Sequence, residues 1–236
     1  MEPPVPDADP PDASAEALRP ALRQAEERQN LLLAELQHRV RNILAVVRSL
    51  VARSVETSDS LDDFARHFDG RLAALARTQG VFARTGEVSV ELDELVRDEL
   101  VAVGAGANEQ VSVSGPAVQL RQHAGETFAL ALHELATNAV KYGALATPRG
   151  KVAVTWRIID APGGARLSLE WRESGVTAVN ADPQRRGFGR DLIERGLPYE
   201  LGADTTLSFR PGGVRAVIEL PLDEKTGRVR GEEAAE

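Results

Sequence analysis

The feature that most limits how this 236-residue chain can fold is a change of pattern at Thr85-Gly86. Before it, apolar residues recur at spacings of three and four, which is typical of α-helices packed in a bundle. After it, short β-branched runs alternate with helical patterns, which is typical of an α+β domain. We therefore predict two domains that meet near residue 86.

Residues 15–85 are predicted to form a helical hairpin. The first helix carries a stripe of apolar side chains, which we call the seam. The seam consists of Leu33, Leu36, Val40, Ile43, Val47 and Leu50. The polar run from Thr57 to Ser60 then breaks the pattern and supplies a cap for a second helix. Because such a hairpin exposes its seam, we expect a homodimer in which two copies form a four-helix bundle.

Residues 86–222 are predicted to fold as an α+β sandwich, with helices on one face of a mixed sheet. Two pairs of alternating stretches flank Pro-Gly-Gly turns and predict β-hairpins. The pairs are 151–159 with 165–172, and 205–210 with 214–220. Shorter runs at 111–113 and 118–120 predict a further pair of strands.

The two ends are predicted to lie outside the packed domains. Residues 1–14 combine proline and aspartate without an apolar period, as disordered leaders do. Residues 223–236 are charged, and we expect a flexible tail.

Composition excludes several classes of function. The 28 basic and 36 acidic residues give a formal charge of −8, which argues against binding to nucleic acid or anionic lipid. There is no cysteine, and the four histidines lack the spacing of a zinc site. Neither an export signal nor an apolar run near the roughly 20 residues of a membrane helix is visible. We therefore expect a cytoplasmic protein without membrane insertion.

The segment from His133 to Leu145 groups an unusual set of polar side chains on one helix. At about 100° per residue, an acid, an amide, a lysine and a tyrosine share what we call the polar stripe, next to an apolar stripe that can face a core. The polar stripe is Glu134, Asn138, Lys141 and Tyr142, and the apolar stripe is Phe128, Leu132, Leu135 and Ala139. Such a polar stripe suits a nucleotide site, although a solvated helix face is the commoner meaning of the pattern.

His38 lies two residues from seam members on either side, so helical geometry turns it toward solvent. Arg39, Arg41 and Asn42 surround it with hydrogen-bond donors, which suit an incoming phosphate. An incidental surface histidine is the simpler explanation of the same pattern.

Glycines stand at two informative places in the second domain. Gly175 follows a predicted strand, and Gly187-Phe188-Gly189 precedes a predicted helix. Glycine lets main-chain amides approach phosphate at a helix N-terminus, but ordinary turns use it equally well.

Together these elements resemble the HWE-type bacterial sensor histidine kinases. The resemblance rests on H-R-V-R-N at 38–42, H-E-L-A-T-N-A-V-K-Y-G-A-L at 133–145, W-R-E at 171–173 and G-F-G-R-D-L-I-E at 187–194. It implies a dimerisation and histidine-phosphotransfer hairpin followed by a Bergerat-type ATP-binding domain. His38 would be the phosphoacceptor, and Glu35, about one turn earlier on the helix, is a candidate base on geometry alone.

The resemblance also implies roles for residues of the ATP site. Asn138 would hold Mg²⁺, with Glu134 nearby as a metal-shell or base residue. Lys141 would neutralise phosphate charge, and Tyr142 would border the nucleotide. Glu173 would take the adenine amino hydrogen, since a carboxylate accepts hydrogen bonds.

The remaining residues that the resemblance assigns to cofactor binding are His133 and a group around a mobile loop. That loop, residues 176–188, is called the lid below. Gly175, Gly187, Phe188 and Gly189 would flank it.

The function that follows is autophosphorylation of His38 from ATP and Mg²⁺, with relay to an aspartate of a response-regulator receiver domain. Two alternatives stay open. Val176-Thr177 stand where the family has a second glycine and a proline, which favours a weak or inactive phosphotransfer or scaffold protein that docks the regulator. An ATPase of the same nucleotide fold is disfavoured by the hairpin with H-R-V-R-N.

Overall fold

The computed structural model shows two compact units, Met1–Ser49 and Leu50–Glu236. It describes residues 13–58, 60–85, 89–106, 109–176 and 187–230. None of the helices in these ranges has the length and apolarity needed to cross a membrane. The functional boundary near residue 86 stays a prediction, as does the leader, whose residues 1–12 lie outside the described ranges.

Helix α1 spans Ala13–Thr57 and supplies the first unit. In the first unit the seam members Leu33, Leu36 and Val40 are 47%, 57% and 47% exposed, while Ile43 and Val47 are partly buried. In the second unit, the last seam member, Leu50, is buried. The apolar surface expected at this helix is therefore present along its first-unit part.

Helix α2 spans Leu61–Thr85 and begins at a side-chain cap. The Ser60 hydroxyl accepts a hydrogen bond from the backbone N–H of Asp63 at 3.1 Å. This bond satisfies one of the amides that a helix start leaves without a partner, and Asp62 and Asp63 complement the helix dipole. The predicted cap is confirmed.

In the part of the chain that the structure describes, eight strands form two sheets. The three-stranded antiparallel sheet has the order β1 (Ser89–Glu91), β3 (Val118–Arg121), β8 (Gly227–Val229). The five-stranded mixed sheet has the order β2 (Val111–Ser114), β4 (Lys151–Ala161), β5 (Gly164–Ser174), β7 (Gly213–Pro221), β6 (Asp204–Arg210). Both predicted hairpins, β4 with β5 and β6 with β7, are confirmed.

The strands predicted at 111–113 and 118–120 are present as β2 and β3. They do not pair with each other, because β2 runs parallel to β4 and β3 lies antiparallel to β1. The prediction of a flexible tail was wrong. Residues 227–229, inside the predicted flexible tail, form β8 and pair with β3. A turn at Asp223 explains β8, since its carboxylate accepts hydrogen bonds from the N–H groups of Lys225 and Thr226 and returns the chain to the sheet.

Helices complete the α/β sandwich. They are α3 (Leu92–Ala102), α4 (Gln122–Lys141), a 3-10 turn (Ala144–Ala146) and a continuous helical run of α5 (Phe188–Asp191), a π turn (Leu192–Gly196) and α6 (Leu197–Leu201). All four members of the apolar stripe of α4 are buried, as predicted. Helix α2 packs against α4 in the antiparallel sense, with His67 near Lys141 and Gln79 near Glu126. The polar stripe of α4 therefore lies beside α2.

Candidate functional site

Because the apolar stripe of α4 faces the core, the polar stripe is turned outward. Asn138 and Lys141 are exposed, and Tyr142, which ends the helix, is 76% exposed. The side chain of Glu134 is only 13% exposed. Three of the four members are therefore open to a ligand, whereas the fourth is held inside the protein.

Glu134 is held by an arginine of α2. Arg71 Nε donates to Glu134 Oε1 at 2.7 Å, and its Nη2 donates to Oε2 at 3.4 Å. The third nitrogen, Nη1, donates to the Ser54 hydroxyl at 2.6 Å. The guanidinium carbon also lies 3.8 Å from the ring centroid of Phe188, within the range of a cation–π contact. Arg71 is 3% exposed, so this is a buried, fully engaged cation.

Gly189 leaves the space that Glu134 occupies. A Cβ at Gly189 would stand 2.9 Å from Glu134 Cβ and 3.1 Å from Oε2. Phe188 and Gly189 thus both contact the Arg71–Glu134 pair, while Gly187 before them is exposed with open space around it. The close approach that glycine permits here is to a carboxylate side chain.

Lys141 contacts a second residue of α2. Its Nζ donates to His67 Nε2 at 3.1 Å, so the imidazole accepts in its neutral form. Burial lowers the pKa of His67, and the positive charge of Lys141 lowers it further. Both charged members of the polar stripe are therefore bonded to α2.

His133 lies in a different cluster from the polar stripe. Its Nδ1 is 3.1 Å from Glu99 Oε2, and Arg77 forms an ion pair with the same carboxylate at 2.5 Å. A Cβ on Gly70 would stand 2.9 Å from His133 Nε2. The structure accounts for His133 by contacts among α2, α3 and α4, and its cofactor-binding role stays a prediction.

Trp171 and Glu173 point to the same face of β5, because side chains two apart in a strand share a face. Both are buried, with Trp171 0% and Glu173 5% exposed. The Trp171 indole N–H donates to Glu173 Oε1 at 3.3 Å, and the backbone N–H of Ala144 donates to Oε2 at 2.8 Å. Burial raises the pKa of Glu173, while these two hydrogen bonds oppose the rise. The W-x-E spacing thus ties β5 to the turn that follows α4.

Gly175 makes the turn at the end of β5. Its φ is +79°, and a Cβ there would stand 2.6 Å from the carbonyl oxygen of Arg149. Val176 follows with its N–H donated to the Gly212 carbonyl at 3.1 Å, and its side chain is buried. The lid from Thr177 to residue 186 lies outside the described residues.

The predicted phosphoacceptor region is in the middle of α1. Arg41 there donates to the Gln37 carbonyl at 3.2 Å. The side chains of His38, Glu35, Arg39 and Asn42 lie outside the described residues, so their roles stay predictions.

Sequence reasoning missed Arg71 and His67, although one signal was visible. Arg71 lies three residues after Phe68 and four before Leu75, which places a charge inside the apolar stripe of α2. A charged residue in that position requires a buried partner. The identity of the partner, 63 residues away, is not encoded locally.

Comparison with known proteins finds similarity to histidine kinases. The family model described as HWE histidine kinase matches residues 35–117. The "Blue-light-activated histidine kinase" of Brucella anthropi is 29% identical over 200 residues, which are 85% of this chain and 40% of that protein. The protein of the same description from Brucella ovis is 28% identical over 200 residues, with 85% and 41% covered. This chain therefore spans about two fifths of the length of these relatives.

Solved structures show the same fold. The histidine kinase domain of a blue-light activated histidine kinase from Erythrobacter litoralis matches with a TM-score of 0.52 at 20% identity, covering 82% of this chain and 92% of that one. A longer structure of that kinase matches with a TM-score of 0.54 at 16% identity, covering 78% and 59%. By these matches the chain is similar to HWE histidine kinases, and its fold is that of a histidine kinase domain.

Proposed function

We propose that this chain is a protein histidine kinase that phosphorylates its own His38 from ATP and relays the phosphoryl group to an aspartate of a response-regulator receiver domain. The observation that carries the proposal is the polar stripe of α4, which presents Asn138, Lys141 and Tyr142 outward while the neighbouring apolar stripe is buried. Similarity to curated histidine kinases over 85% of the chain supports kinase chemistry at such a stripe. The fold places this stripe in an α/β sandwich shared with histidine kinase domains.

The exposed members of the stripe suit a nucleoside triphosphate. Lys141 offers a cation for phosphate oxygens, and its bond to His67 can be exchanged because a neutral imidazole is a weaker partner than a phosphate. Tyr142 offers an apolar ring edge. Glu173 is proposed as the adenine-reading group, since each of its oxygens keeps a second acceptor position after its contacts with Trp171 and Ala144.

Two oxygen donors of α4 fit Mg²⁺. Glu134 and Asn138 are four residues apart, so their side chains are neighbours on the helix. Among the residues that the structure describes, no group of three or more acids or histidines can hold a metal. Two protein oxygens are nevertheless enough, because Mg²⁺ keeps several waters and binds substrate phosphates. When bound, the ion neutralises charge on the triphosphate.

The proposed reaction needs positioning more than covalent machinery. The unprotonated ring nitrogen of His38 forms a bond to the γ-phosphorus, the bond from that phosphorus to its bridging oxygen breaks, and ADP leaves. The other ring nitrogen gives up its proton to a base, for which Glu35 and Glu134 are the candidates. A receiver aspartate then takes the phosphoryl group and regenerates the imidazole.

The test is labelling with γ-labelled ATP and Mg²⁺. We expect acid-labile, base-stable label on the wild type, and none on His38→Ala or Asn138→Ala. Arg48→Ala serves as a matched control, since it removes an exposed arginine of α1 that lies outside the H-R-V-R-N motif. Label that persists in His38→Ala would overturn the proposal.

Self-association through the seam is part of the same proposal. Leu33, Leu36 and Val40 are exposed along one stripe of α1, and a second copy can bury them. We expect sedimentation equilibrium to show dimers that Leu36→Lys weakens. Leu31→Lys, a control at a still more exposed position on another side of α1, should not weaken them.

The contacts of α2 favour one alternative. Arg71 and His67 already bond both charged members of the polar stripe, as in a scaffold protein that no longer uses nucleotide. Calorimetric titration with a non-hydrolysable ATP analogue and Mg²⁺ separates the two functions. The kinase requires measurable binding, and the scaffold requires none.

A further inference from the structure

Arg71 is a buried charged residue outside the predicted site that contacts three other helices. It is 3% exposed and belongs to α2, yet its guanidinium contacts Ser54 in α1, Glu134 in α4 and Phe188 at the start of α5. Burying a cation is costly unless it is paired and hydrogen-bonded. Here each of the three guanidinium nitrogens donates a hydrogen bond, which offsets the cost of burying the charge.

The guanidinium holds Glu134 in one orientation. Nε and Nη2 approach the two carboxylate oxygens side-on at 2.7 and 3.4 Å, which fixes the plane of the carboxylate relative to the plane of the arginine. The Phe188 ring, 3.8 Å away, fixes the plane of the arginine in turn. On the other side, the absence of a side chain at Gly189 leaves room for this one placement.

The pairing leaves Glu134 able to act. An ionised carboxylate has about four acceptor positions, and Arg71 occupies one on each oxygen. One position on each oxygen remains for a metal-bound water or for the proton of an imidazole. Arg71 thus orients the Glu134 carboxylate and leaves some of its acceptor positions free for the proposed reaction.

We propose that Arg71 is a positioning residue for phosphoryl transfer, acting through Glu134. This proposal rests on the proposed kinase function. Lysine cannot replace Arg71 completely, because an ammonium has neither the planar fork that matches a carboxylate nor a face to stack on Phe188.

The decisive experiment is a double-mutant cycle between Arg71→Met and Glu134→Gln in the full chain. The readout is the rate constant of His38 labelling at saturating ATP, with KM for ATP measured alongside. We expect Arg71→Met to lower the rate constant by about 10-fold or more, since small misplacements of reacting groups cost rates of this order, and to change KM for ATP by less than about 3-fold. Arg71→Lys should recover part of the loss.

In the Glu134→Gln background, Arg71→Met should have almost no further effect, because the group that it positions is already gone. The double variant also removes both buried charges together, so it tests the proposal even if Arg71→Met alone does not fold. Equal losses in both backgrounds would overturn the assignment.

Gln79→Met is the matched control for loosening of the α2–α4 contact. Gln79 bonds Glu126 across the same pair of helices, and Glu126 keeps Gln122 as a partner at 2.9 Å. The rate constant of His38 labelling in Gln79→Met should match that of the wild type. An Arg71→Met rate equal to the wild-type rate overturns this proposal alone, whereas a wild type without His38 label overturns the kinase function and this proposal with it.

Discussion

Glu173 is a carboxylate in a buried environment, with 5% of its surface exposed. Burial raises its pKa above the ordinary value of 4.5, although the Ala144 and Trp171 hydrogen bonds oppose the rise. As the pH increases, the unfolded chain therefore releases this proton first, and the folded state binds more protons between the two pKa values. The free energy of unfolding must then fall with rising pH over that interval.

The Glu173→Gln variant isolates this contribution, because glutamine does not titrate. We expect the free energy of unfolding of the wild type minus that of the variant to decrease as the pH rises above 4.5. Urea denaturation from about pH 2.5 to about pH 8 measures it and covers the interval of the control below. Glu170→Gln is a control with the opposite pH dependence. The hydrogen bond from Arg215 lowers the pKa of Glu170 in the folded state. Ionised Glu170 therefore stabilises the protein above pH 4.5, and this stabilisation is lost as the pH falls through the pKa of the folded state. A pH-independent difference for Glu173→Gln would contradict the expectation.

Gly175 and Gly104 have nearly the same positive φ, +79° and +80°, but differ in their surroundings. A Cβ at Gly175 would meet the Arg149 carbonyl oxygen at 2.6 Å, whereas at Gly104 nothing lies within 4 Å. We expect Gly104→Ala to cost about 1 kcal/mol for the left-handed conformation alone, and Gly175→Ala to cost about 2–4 kcal/mol because a steric clash is added. Chemical denaturation of both variants checks this. Equal losses of unfolding free energy would mean that the backbone at residues 149–150 moves aside at little cost.

At the scale of elements, the Ser60 cap ties local sequence to stability. Ser60→Ala removes the acceptor of the Asp63 N–H, and we expect it to lower the free energy of unfolding by about 1 kcal/mol. Ser60→Asp keeps an acceptor at the same position and should remain within about 0.5 kcal/mol of the wild type. Thermal and urea unfolding of the two variants compare them directly. A loss of the same size in both would show that the hydroxyl bond does not stabilise α2.

The predictability of elements follows the range of the interactions that create them. The Pro-Gly-Gly turns and the apolar stripe of α4 are local, and the structure has the hairpins and the buried helix face that they predict. The parallel pairing of β2 with β4 and the return of β8 to β3 join distant parts of the chain. Local patterns carry no information about such partners, so these pairings were missed.

The same limit applies to the candidate site of the second unit as a whole. The H-E-L-A-T-N motif shows which side chains share a helix face, but not that Arg71 engages Glu134 from 63 residues away or that Glu173 bonds the Ala144 amide 29 residues away. Charged side chains choose partners by three-dimensional proximity. The motif therefore predicts the chemistry of the stripe, while the contacts that hold it are visible only in the fold.

Ligand binding offers a test at the scale of the whole molecule. If ATP and Mg²⁺ bind the folded protein only, a concentration about 100 times the Kd should raise the free energy of unfolding by about 2.7 kcal/mol. Chelation of Mg²⁺ should remove most of this gain, because in the proposed function Asn138 would hold the ion and the ion would neutralise the phosphates. Differential scanning calorimetry with and without EDTA measures the change. Asn138→Ala should lose the Mg²⁺-dependent part, whereas Val140→Ala, an exposed position of α4 outside the polar stripe, should keep it. If Asn138→Ala shows the same Mg²⁺-dependent gain in unfolding free energy as the wild type, Asn138 does not hold the metal. The polar stripe would then contribute to phosphate binding only.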